Sequence, residues 1–135
     1  MNTPAQTPPW WQRLLNRLRS SRQPSAVHSI THDDQTVYIE WHKRGKAMRA
    51  EMAWKDVTTA IAFKRDCYAV DLICIVFGGA AGSLEVNEEM SGWKGLVEVL
   101  PTYLPGCLAE HEWFRQVAFP AFATNPVHIF RRVPA

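Results

Sequence analysis

The sequence predicts an α+β fold: an antiparallel sheet of five or six strands packed against a C-terminal helix, with an N-terminal amphipathic helix in front. Three observations predict it. Apolar residues recur at helical spacing before residue 23, alternate with period two between residues 37 and 87, and return to helical spacing after Met90. The chain has 135 residues, 47% hydrophobic and 21% charged, which is the size of one core and the composition of a globular domain. We divide it into an N-terminal extension over residues 1–26, holding the basic helix and a linker, and a single α+β domain over residues 27–135.

Each element has its own signature. Trp10, Trp11, Leu14, Leu15 and Leu18 share one helical face, with Arg13 and Arg17 on the complementary one and Pro9 at the first helical position. Ser20, Ser21, Gln23, Pro24 and Ser25 then make a polar break. Val37, Ile39 and Trp41 alternate with Tyr38, Glu40 and His42, and after Lys43-Arg44-Gly45-Lys46 the alternation resumes through Met48, Met52 and Trp54, the pattern of a hairpin. Val57 to Lys64 reads as the next strand, and Asp71 to Phe77, apolar on both faces, as a central one. Gly78-Gly79-Ala80-Ala81-Gly82 then reads as a hairpin connection into Leu84–Asn87. Strands joined in sequence predict a meander.

After Met90, Ser91 is the expected N-cap, and Trp93, Leu96, Val97 and Leu100 fall at i, i+3, i+4 and i+7. Pro101, Pro105 and Gly106 are expected to close that helix. A second helical stretch over Glu110 to Val117 buries Trp113, Phe114 and Val117, and Val127 to Arg131 is a final extended segment.

Charge and cysteine usage exclude several function classes. The net charge of +2 is too small to predict a nucleic-acid partner, and none is expected. It hides an asymmetry: residues 1–30 hold Arg13, Arg17, Arg19 and Arg22 with no acid. The remainder therefore carries 11 of the 15 basic and all 13 of the acidic side chains. Cys67, Cys74 and Cys107 form no Cys-x-x-Cys pair, so neither a zinc site nor a disulfide framework is expected, and a reducing cytoplasm is the simplest setting. The most apolar stretch, Leu72 to Gly82, is about half the ~20 residues a membrane-spanning helix needs. Prolines and arginines stand where a signal peptide would carry its basic start and apolar run.

Two charged constellations remain. Lys64, Arg65, Asp66 and Asp71 crowd the connection between two strands, so they should gather at one end of the sheet as a salt-bridge cluster or a binding surface. Glu85, Glu88, Glu89, Glu98, Glu110 and Glu112 make residues 85–112 acidic, a surface suited to steering a basic partner. Ligation of a metal by these carboxylates with His111 or His128 lacks any motif that would fix its geometry, so no metal and no cofactor is expected. No phosphate-loop ending follows Gly78–Gly82, and no nucleophile elbow occurs, so no catalytic residue is assigned.

The segments Phe63-Lys64-Arg65-Asp66 with Asp71-Leu72-Ile73, Glu88-Glu89-Met90-Ser91-Gly92-Trp93 and Pro120-Ala121-Phe122-Ala123-Thr124-Asn125 together resemble a family of small uncharacterised bacterial proteins over about residues 36–132. The resemblance implies a bacterial single domain and carries no activity. The strand-rich front and following helix are also similar to a pleckstrin-homology-like sheet capped by a helix, a likeness of architecture alone.

The function expected from these features is that of a non-enzymatic cytoplasmic protein-binding module, in its most specific form an immunity protein that neutralises a bacterial toxin. Its contact residues would be Lys64, Arg65, Asp66, Asp71, Glu85, Glu88, Glu89 and Glu98, with Trp93 as an anchor or a core residue. The alternatives are a small enzyme using Asp66, Asp71, Glu88 and Glu89 or a metal, and a peripheral membrane protein. The last would use Trp10, Trp11, Leu14, Leu15, Arg13 and Arg17 at a membrane surface, and the same face could instead dock onto the domain or onto another protein.

Overall fold

The computed structural model describes residues 27–67, 70–121 and 123–133, with only the backbone described at 66, 67 and 70. The expected N-terminal helix, and with it Trp10 to Arg22, lies outside the described residues.

Among the described residues, seven strands form two sheets rather than one. In the first, β1 (Ser29–His32), β2 (Thr36–Lys43) and β3 (Lys46–Ala53) pair in the order β1-β2-β3. In the second, β4 (Thr59–Cys67), β5 (Val70–Gly79), β6 (Gly82–Asn87) and β7 (Val127–Arg131) pair in the order β6-β5-β4-β7. All these pairings are antiparallel. Two helices, α1 (Trp93–Tyr103) and α2 (Glu110–Ala118), lie between β6 and β7 in sequence. The single sheet of five or six strands is therefore corrected to sheets of three and four. The pleckstrin-homology-like arrangement ending in a helix is corrected too, because the described chain ends in a strand.

The reason lies at the connection between β3 and β4. A 3-10 turn at Trp54–Asp56 breaks the meander, and its partners hold it there: the indole N–H of Trp54 donates to the Asp33 carbonyl at 2.9 Å, and Arg132 donates to the Trp54 and Val57 carbonyls at 3.0 and 2.9 Å. The place beside β4 that a meander would give to β3 is taken by β7. Gly79 lets the β5–β6 hairpin close against this corner, since a Cβ there would stand 2.1 Å from the Asp56 carbonyl oxygen.

The hairpins read from the sequence form with local registers. Lys43 pairs with Lys46 across Arg44 and Gly45, both at positive φ, and Gly79 pairs with Gly82 across Ala80-Ala81. Two helix-end expectations are corrected. The N-cap of α1 is Gly92 at φ 91° rather than Ser91, because the backbone there presses on Ile30, whose carbonyl oxygen would lie 2.3 Å from any Cβ. Pro101 does not close α1, which continues to Tyr103 and ends just before Pro105 and Gly106; a proline this near the C-terminus sacrifices one hydrogen bond and leaves the last turn standing.

The main core fills the space between the two sheets and the helices. Ile30, Val37 and Ile39 from the first sheet meet Ala60, Ala62, Ile73, Ile75, Phe77, Leu84 and Val86 from the second, and Leu96, Leu100, Trp113 and Val117 close it from the helices. Among the described residues, no helix is long and apolar enough to cross a membrane.

Candidate functional site

The charged residues singled out from the sequence do gather where β4 and β5 meet, with Lys64 opposite Ile73, Arg65 opposite Leu72 and Asp66 opposite Asp71. They do not form one surface. Adjacent strand residues point to opposite faces, so Lys64 and Arg65 leave β4 on opposite sides.

Lys64 turns toward the helices. Its ammonium lies 3.2 Å from Asp71 Oδ2 and donates to the carbonyls of Ala118 and Pro120 at 2.7 and 2.5 Å, while its own backbone N–H donates to the Thr124 carbonyl at 2.8 Å. With the side chain 2% exposed, it is an internal tie between β4 and the end of α2. Arg65 turns to the other face and meets Glu85 of β6, Nη2 to Oε1, at 2.6 Å. Burial lowers the Arg65 pKa, and the hydrogen bond and charge of Glu85 more than offset it, so the guanidinium is held above its ordinary value. The Cys74 thiol, opposite Phe63 on this face, is pushed upward by burial first and by Glu85 second, which makes it inert as a nucleophile at neutral pH.

The acidic region divides as well. Glu85 is consumed by Arg65. Glu88 accepts the Ile73 backbone N–H at 3.0 Å and donates its own to the Ile73 carbonyl at 3.0 Å, extending the β5–β6 pairing by one residue. Glu112 accepts the Ala109 N–H at 2.7 Å and caps α2. Glu89 and Glu98 are exposed, and Trp93 is half-buried against the main core. The Asp66 side chain is not among those described. Asp71 and Glu88 are thus engaged by different groups, the Lys64 ammonium and the Ile73 N–H, and among the described residues no group of three His, Cys, Asp or Glu side chains is placed to hold a metal ion.

A feature that the charge pattern did not single out lies between the helices. Val97, Glu98 and Pro101 of α1 and Ala109, Glu110, His111 and Phe114 at and in α2 line an open groove of about 460 Å³. Phe114 is 40% exposed, contrary to the expectation that it is buried with Trp113 and Val117. Trp113 and Val117 are four residues apart and share the buried stripe, whereas Phe114, one residue on, is turned about 100° from Trp113. That rotation is the signal available in the sequence. The groove thus joins an apolar floor to a rim carrying Glu98 and Glu110.

No family model, curated protein or solved structure matches the chain. The geometry stands as the ground for a functional reading.

Proposed function

We propose that this protein is a non-enzymatic, cytoplasmic protein-binding module, and that it takes a basic, amphipathic segment of its partner into the groove between α1 and α2. The observation that carries this reading is Phe114, an aromatic side chain left 40% exposed beside Val97 and Pro101 and flanked by Glu98 and Glu110. Aromatic anchors in partly desolvated pockets supply much of the affinity at protein interfaces, and acidic rims raise the association rate of basic partners. The contact surface is narrower than the whole set of charged residues, because Lys64, Arg65, Asp71 and Glu85 already satisfy one another within the fold. Neutralisation of a toxin, as an immunity protein does, is one activity of such a module.

The test compares full-length protein with Phe114→Ser/Glu110→Lys as baits in lysate of the source cell, at low and high salt. We expect a stoichiometric partner retained by the wild type, weakened by salt and lost with the double variant, while the thermal melt of the bait is unchanged. Recovery of bait alone under gentle lysis, or a partner held equally by both baits, would overturn the reading.

A further inference from the structure

The four-stranded sheet has a second face, turned away from the helices. Ile61 and Phe63 of β4 and Leu72, Cys74 and Val76 of β5 share it, and each is at most 5% exposed. The Arg65–Glu85 ion pair lies on the same face, its side chains 6% and 14% exposed. Among the described residues, this second buried cluster is built from β4 and β5. Among the described residues, both helices and the three-stranded sheet contribute to the main core on the opposite face. Five large or medium apolar side chains and an ion pair excluded from water require a cover.

We propose that the cover is the chain's own N-terminal segment, Trp10 to Arg22, laid across this outer face with Trp10, Trp11, Leu14, Leu15 and Leu18 inward and its arginines toward solvent. The chain reaches β1 beside the correct edge: Ser29 bridges Ser91, and the Ile30 N–H donates to the Ser91 carbonyl at 2.7 Å. Ser91 follows closely on Asn87, the end of edge strand β6, which pairs with Cys74. From Arg22 to Val27 the linker can span about 17 Å. A helix over residues 10–22 would be about 20 Å long, enough to cross four strands spaced about 4.8 Å apart. The length, the apolar stripe and the place where the chain joins the domain therefore match the face that needs covering.

The deciding experiment uses the full-length chain with the photo-crosslinker p-benzoylphenylalanine in place of Leu15, in a mixture of isotopically light and heavy protein free of lipid. We expect crosslinks within one chain to peptides of β4 or β5 containing Phe63 or Leu72 to Val76. Light-to-heavy crosslinks would assign the face to a second copy, and absence of crosslinks to the sheet without lipid would leave the segment free for a membrane; either overturns the proposal. In a second measurement, Leu14→Asp/Leu18→Asp should raise the alkylation rate of Cys74 at least tenfold relative to Cys107, which lies in the main core. An unchanged ratio would overturn it.

Discussion

Lys64 and Arg65 are neighbours in one strand, carry the same charge, and belong to different parts of the molecule. Lys64 stands at the helix side, where it ties β4 to the Ala118 and Pro120 carbonyls and to Asp71. Arg65 stands on the outer face, where Glu85 is its partner and, among the described residues, the clustered apolar side chains come from β4 and β5. The inner face is sealed by a second sheet and two helices joined to it through the main core, whereas the outer face depends on whatever lies over a single sheet. The difference teaches that a basic-acidic run in a strand connection is not one surface, because the pleat distributes it between two environments with separate jobs.

The largest effects should test whether the two faces are equally closed. Phe77 on the inner face and Phe63 on the outer are 0% and 2% exposed. Replacing either by Ala should cost about 3–5 kcal/mol in denaturant unfolding. If Phe63→Ala costs under about 1 kcal/mol, the outer face is open in solution and the comparison breaks. Next comes Lys64→Ala, which leaves Asp71 without its ammonium in a largely buried setting and should cost about 3 kcal/mol. Lys64→Met/Asp71→Leu should recover much of that loss, since an apolar pair removes both desolvation penalties.

Arg65→Met should cost less, about 1–3 kcal/mol, because Lys64→Ala also deprives the Ala118 and Pro120 carbonyls of their donor, whereas Met keeps the apolar stem of Arg65 in place. A loss equal to that of Lys64→Ala would equate the two environments. A smaller effect concerns pH. His128, paired with Ile61, is held below its ordinary value of 6.5 by burial first and by Arg131 second. Its folded pKa is depressed, so the unfolded chain takes up the proton first as pH falls; stability is full above about 6.5 and declines from there down to the folded pKa. His128→Gln should flatten that slope in chemical melts between pH 7.5 and 5. The smallest effect on stability is expected from Phe114→Ser, within about 0.5 kcal/mol, although it should abolish partner binding.

Much of the local structure was legible. Period-two alternation located β2, β3 and β6, a run apolar on both faces located β5, and Gly45 marked the turn of its hairpin, in which Arg44 also takes positive φ. The apolar spacing of Leu96, Val97 and Leu100 located α1. The sheet count was not legible, because β7 pairs with β4 across the whole intervening stretch of β5, β6 and two helices, and no local pattern records such a pairing. The candidate site was legible in part. Crowding of Lys64, Arg65 and Asp71 was visible, and so was the acidity of residues 85–112. Their engagement inside the fold was not, since the Ala118 and Pro120 carbonyls and the Ile73 N–H that bind them carry no side-chain signature.

By itself the sequence determined most of the strand and helix positions among the described residues and the local hairpins, because these depend on the backbone's own periods and on turn chemistry within a few residues. Only the tertiary structure decided that there are two sheets, that Lys64 and Arg65 serve opposite faces, and that Phe114 rather than Trp113 reaches solvent. Those outcomes depend on which distant surfaces meet, and burial is a property of the assembled core that no single segment specifies.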